Sequence, residues 1–216
     1  MEIGFHTFPS GKQYVYVKTP GAAKAPRVFL RNIIFLRRAS KPSEIALVHE
    51  WGAPSDVEWE PPKGQMEWKE FSASGVAPGS IIQSKTLANY MREGVLREMS
   101  EEAKIMPQEI TNLRALRLSY EQVWRKASTP DSPAQFRYQF WQAEIADSIM
   151  LEAQARMKAL VDHPELHTLP PDVKEKDAIV WWDVTKPDWS MIRESFSKKM
   201  TSMFVDYVKK HGVSNS

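Results

Sequence analysis

The chain has 216 residues, 42% of them hydrophobic, enough for one domain with a substantial core. Its 29 basic and 27 acidic residues leave a formal charge of +2, which gives no case for a nucleic-acid coat or a membrane surface. The absence of Cys excludes disulfides and thiolate metal sites but leaves the compartment open. The opening Met-Glu-Ile-Gly-Phe-His lacks the basic start and apolar stretch of a secretion signal, and no apolar run approaches membrane-spanning length. A soluble, globular protein of the cytoplasm or nucleus is expected, as monomer or homodimer, with no membrane partner.

Phe5 to Val17 reads as two short extended pieces around Pro9-Ser10-Gly11-Lys12, a hairpin signal. Thr19 to Pro26 is a loop. Val28 to Leu36 gives a largely buried strand ending in Arg37-Arg38, and Glu44 to Trp51 a second one. Trp59-Glu60-Pro61-Pro62-Lys63-Gly64 is a proline-rigid loop and not a central strand. Phe71 to Lys85 has little periodicity and predicts an irregular excursion. A helix follows from about Leu87 to Lys104. Leu113 to Trp124 and Phe136 to Ile145 are strands, separated by the turn-rich Ser128 to Pro133. Ile149 to Val161 is a second helix, with Leu151, Ala155 and Ala159 at i, i+4 and i+8. Ala178 to Val184 is a late strand. Pro187-Asp188-Trp189-Ser190 opens a last helix, striped by Phe196, Met200, Met203, Phe204 and Tyr207. No internal repeat or second domain is evident, and the pattern suggests a single-domain α/β/α sandwich with a mixed central sheet.

The chemistry is concentrated in Arg97-Glu98-Met99-Ser100-Glu101-Glu102-Ala103-Lys104-Ile105. From Glu98, Glu101 and Glu102 stand at i+3 and i+4, so the three carboxylates neighbour one another, while Leu96, Met99 and Ala103 anchor another face. Glu98 and Glu102 can jointly hold a hard divalent cation, with phosphate oxygens and water completing its shell. A solvated acidic helix face is the plain alternative for this segment taken alone. The His residues show no metal spacing: His163 and His167 fit i, i+4, but Pro164 lies between them.

Upstream stands Gly64-Gln65-Met66-Glu67-Trp68-Lys69-Glu70, a Gly followed six residues later by Glu. Joined to Arg97 to Glu102, this resembles the Nudix box: Gly, five residues, Glu, seven residues, Arg-Glu-hydrophobic-any-Glu-Glu, any, Gly, hydrophobic. Two departures stand out. The spacer from Phe71 to Leu96 runs 26 residues where the pattern has seven, and Lys104 replaces the closing Gly that normally permits a left-handed turn. The box thus spans 64–105 with an inserted loop at about 71–87, and a further helical addition lies at about 148–171. Trp59 to Gly64 looks like the Trp-Thr-Pro-Pro-Lys-Gly loop of the diadenosine polyphosphate hydrolases. Arg137-Tyr138-Gln139-Phe140-Trp141-Gln142-Ala143-Glu144-Ile145 is similar to that family's basic-residue, Tyr-Trp-Leu-Ala-Glu-Val strand.

The resemblance implies a Nudix fold and hydrolysis of a nucleoside diphosphate derivative by water attack on phosphorus. It carries metal ligation onto Glu98 and Glu102, with the Gly64 carbonyl as a third ligand, for Mg²⁺ or Mn²⁺. Glu101 is the candidate acceptor of the water proton, or else another ligand; Glu144 and Glu175 could add a further carboxylate. Arg97 and Glu70 are expected to pair and hold loop to helix. Lys63, Arg137, Tyr138 and Arg38, the last in the basic turn Arg37 to Lys41, are the candidate contacts to a phosphate-rich small molecule. Trp141, Trp181 and Trp182 are read as core or pocket lining. A dinucleoside polyphosphate is the first choice of substrate; a diphosphoinositol polyphosphate, an mRNA cap and a catalytically silent scaffold are the alternatives. Either addition could act as a lid or be a passive insertion.

Overall fold

The computed structural model describes the chain apart from residues 23, 55, 125–132, 164–174, 195 and 213–216. Among the described residues the protein is α/β, with nine strands joined in one mixed sheet and four α-helices. The strands are β1 (Glu2–Thr7), β2 (Gln13–Lys18), β3 (Arg27–Arg38), β4 (Glu44–Glu50), β5 (Trp59–Glu60), β6 (Lys63–Gln65), β7 (Thr111–Val123), β8 (Ala134–Ile145) and β9 (Lys176–Asp183). The helices are α1 (Trp68–Ser72), α2 (Ser84–Glu102), α3 (Asp147–Asp162) and α4 (Phe196–His211). Among the described residues, no helix is long and apolar enough to cross a membrane. The chain divides into two compact units, and each is described by itself.

The first unit comprises Met1–Ile33, Lys63–Leu96 and Leu116–Phe140. β1 and β2 form the expected hairpin, with Phe5 opposite Val15. Its turn closes through the Phe8 N–H on the Lys12 carbonyl at 2.9 Å, with Gly11 at a φ of 82°. β2 pairs with β3, and β3 in turn with β6, where Asn32 faces Gly64. Buried Asn32 donates to the Met91 carbonyl on α2 at 3.2 Å. A Cβ on Gly94 would fall 2.6 Å from the Met66 sulfur, so the glycine lets α2 approach closely. The expected irregular excursion is present at 73–83 after the short α1, and it is not loose. Residues 79–82 dock along β1: Ile3 N–H donates to Ser80, Gly79 N–H to Ile3, Ile82 N–H to Met1, and the terminal ammonium to Ile82.

The second unit comprises Ile34–Pro62, Arg97–Ala115 and Trp141–Ser216. β4 is antiparallel to the end of β3 and to β9, Leu47 facing Val180. The proline-rigid stretch, expected as a loop, instead carries β5 and β6 on either side of Pro61-Pro62. The prolines lack N–H donors and interrupt the pairing, yet the Pro62 carbonyl still accepts from Ile34 at 2.9 Å. Trp59 also makes an isolated parallel bridge to Ile192, outside the named strands. The α4 ring of Phe204 stacks on Phe35 of β3 at 3.8 Å.

Helix α3 turns a different face inward from the one read in sequence. Met150, Ala153 and Met157 are buried, whereas Leu151, Ala155 and Ala159 are exposed. Helix α4 begins at Phe196 rather than at Pro187, because Asp188 accepts the Ser190 N–H and hydroxyl and closes a turn there. Met200 and Phe204 are buried as expected, together with Thr201, Val205 and Val208; Phe196, Met203 and Tyr207 are half-buried. The expected turn at 128–132 lies outside the described residues, as do His167 and the later part of the 148–171 addition.

Candidate functional site

The acidic end of α2 lies wholly in the second unit. Met99, Ala103 and Ile105 are fully buried and fix its rotation, which carries Glu98 and Glu102 inward rather than into solvent. They are 6% and 5% exposed. The helix then ends in the left-handed turn that a Gly would favour, although Lys104 occupies the position: its φ is 57°. The Ile105 N–H turns back to the Met99 carbonyl at 3.2 Å. Arg156 of α3 donates to the Lys104 carbonyl at 2.8 Å and to Glu109 at 2.7 Å, fixing the turn from outside. The Lys104 ammonium folds back onto the Glu101 carbonyl. Burial lowers its pKa, against the opposing pull of Glu175, Glu101 and Glu102.

Arg97 forks between two of the carboxylates, reaching Glu98 at 2.5 Å through one amino group and Glu101 through the other. Glu101 retains 29% exposure, the most open of the three. The Glu98 carboxyl is held well above the usual carboxylate range by burial, with Arg97 opposing and the neighbouring Glu102 and Glu101 adding to the rise.

Facing this helix end is a pair that sequence reasoning missed. Glu60 of β5 and Lys176 of β9 meet at 2.7 Å, 1% and 4% exposed, and Ser197 of α4 donates to the other Glu60 oxygen at 2.5 Å. The same ammonium lies 3.9 Å from Glu102. Burial lowers the Lys176 pKa, but Glu102 and Glu60 outweigh it, and the net shift is upward. The charged run at Lys176 looks solvated in sequence; the one signal was Glu60 standing where the resembling loop has Thr.

The remaining candidates are distributed as follows. Gly64 and Lys63 lie on β6 and Glu70 on α1, all in the first unit. So do Arg137, bonded to Glu121 at 2.7 Å, and Tyr138, which is 3% exposed and packed on Phe136 and Tyr120. In the second unit, Arg38 is gripped by Asp147 at 2.7 Å and Glu44 at 2.6 Å, so it would reach a phosphate only by releasing them. Glu144 accepts from Asn112 at 2.7 Å. Glu175 is exposed and interacts electrostatically with Lys104 and Lys176. Trp141 and Trp182 are buried, whereas Trp181 is half-buried beneath Arg38.

No protein-family model and no curated protein matches the chain. Among solved structures it is similar to an Ap4A hydrolase of C. elegans in a binary complex, at 16% identity and a TM-score of 0.40. That likeness covers 84% of this chain and 98% of that one. It is also similar to a NUDIX hydrolase from Nitrosomonas europaea, at 14% identity and a TM-score of 0.42, over 97% of this chain and 93% of that one. At such distances the functional assignment rests on the chain's own residues.

Those residues suit a hard cation by donor chemistry. Two carboxylates one turn apart on an inward helix face carry charge that burial disfavours and a divalent ion relieves. Among the described residues no three His, Asp or Glu side chains converge to ligate an ion by themselves. An ion held by Glu98 and Glu102 would therefore complete its shell with phosphate and water oxygens.

Proposed function

We infer that this chain is a Nudix-type pyrophosphohydrolase that opens a phosphoanhydride in a dinucleoside polyphosphate or related nucleoside diphosphate derivative. The observation that carries the reading is the inward burial of Glu98 and Glu102 within Arg97-Glu98-Met99-Ser100-Glu101-Glu102. A solvated acidic face would leave these groups in water; here they are withdrawn from it. Mg²⁺ or Mn²⁺, held by Glu98 and Glu102, would supply charge neutralisation for the phosphates.

Glu101, the most accessible of the three carboxylates, takes the proton of the attacking water. The water oxygen bonds to phosphorus as the bridging P–O bond breaks, and that electron pair leaves with the departing phosphate. Arg97 holds Glu98 and Glu101 at fixed separation, which keeps base and ligand in register. Tyr138 is too enclosed to offer its ring face as it stands.

The test is a panel assay with Mg²⁺ or Mn²⁺, comparing dinucleoside polyphosphates, inositol pyrophosphates, nucleotide sugars and capped RNA. Preferential turnover of a dinucleoside polyphosphate is expected. Faster cleavage of an inositol pyrophosphate or a cap would replace the substrate class, and inertness toward all would leave a silent scaffold.

A further inference from the structure

Glu60 and Lys176 form a buried ion pair inside the second unit, and the resembling motif does not call for it. Burying a lysine ammonium is costly unless it is paired, and Glu60 at 2.7 Å provides the pairing. Ser197 secures the second Glu60 oxygen at 2.5 Å, so the carboxylate cannot swing away. The ammonium is thereby pinned 3.9 Å from Glu102, while Arg97 stands 2.5 Å from Glu98. Both expected cation ligands already face a positive charge belonging to the chain.

Resting on the metal-dependent hydrolysis inferred above, we propose that Lys176 is a built-in counter-cation which weakens the site's hold on a free divalent ion, so that the ion is taken up together with the polyphosphate. A fixed positive charge a few ångströms away repels an incoming dication, and burial limits the screening of that repulsion. The phosphates of a substrate offset it, because they bring negative charge to the dication and the lysine alike. The complex of ion and polyphosphate is then preferred over the bare ion.

The test is a calorimetric titration of Mn²⁺ into substrate-free protein. Glu60→Gln/Lys176→Met removes one charge of each sign and keeps an oxygen at position 60 for the Ser197 hydroxyl. It should bind Mn²⁺ at least about tenfold more tightly than wild type, while Lys176→Arg stays near wild type. Equal or weaker binding by the double variant overturns the proposal, since a merely structural pair would leave the affinity unmoved. If that variant does not fold, Lys176→Gln, whose amide still donates to Glu60, carries the same comparison with the same two outcomes. Glu98→Gln/Glu102→Gln separates this inference from the reading beneath it. Loss of Mn²⁺ binding and turnover there, with unchanged affinity in the lysine variants, removes only the role of Lys176. Retention of both removes the metal site itself.

Discussion

Glu98 is an expected cation ligand withdrawn from water, at 6% exposure. Its carboxyl is pushed up by burial; Arg97 opposes the rise, and the neighbouring Glu102 and Glu101 add to it. A carboxyl raised above its ordinary value of 4.5 contributes its stability fully below that value and loses it as pH rises through the folded-state pKa. In metal-free protein, Glu98→Gln should therefore raise the melting temperature relative to wild type, with a gap that widens as pH rises from 4.5 toward the folded-state pKa. Thermal scans in chelator check this; a gap that narrows with pH would contradict it. The same variant should bind Mn²⁺ more weakly, a trade of function for stability. Glu101→Gln should fold normally and lower kcat by roughly 10²–10⁴, the usual contribution of a positioned general base. Wild-type turnover in that variant would remove Glu101 from the mechanism.

At the scale of elements, the end of α2 shows a glycine position filled by something else. Lys104 adopts a φ of 57° at a cost of about 1–2 kcal/mol and regains part of it through its ammonium on the Glu101 carbonyl. Lys104→Ala keeps the strain and loses the bond, whereas Lys104→Gly loses both. Urea denaturation should place the Ala variant about 1 kcal/mol below the Gly variant, and the reverse order would mean the turn does not persist. The inserted stretch covers the free edge of β1, which an exposed strand needs. Hydrogen exchange should show the Ile3, Gly79 and Ile82 amides protected together; rapid exchange at all three would favour a lid. Most elements were legible because they combine periodicity with turn residues, as in the β1–β2 hairpin. The inward face of α3 was not, because Leu151, Ala155, Ala159 and Met150, Ala153, Met157 both satisfy helical spacing. Only the neighbouring elements decide between them.

For the molecule as a whole, the site is a balance of charges drawn from far apart in the chain, and this is where sequence reading ran out. The box residues could be read in order because they sit on one helix. Lys176 could not, since a lysine in Lys174-Glu175-Lys176-Asp177 looks solvated until β9 carries it against Glu60. Lys176→Met alone should destabilise the fold by about 3–5 kcal/mol, because it strands the buried Glu60 charge, and adding Glu60→Gln should recover much of the loss. Urea denaturation measures both; equal losses in the single and double variants would deny the pairing. The central claim is met most directly by hydrolysis in ¹⁸O-labelled water with Mn²⁺, followed by mass spectrometry of the phosphate products. Wild type should place one ¹⁸O on a product phosphate, and Glu98→Gln/Glu102→Gln should place none at the same protein concentration. Equal labelling by the two proteins, or no ¹⁸O on any product phosphate from wild type, would contradict it.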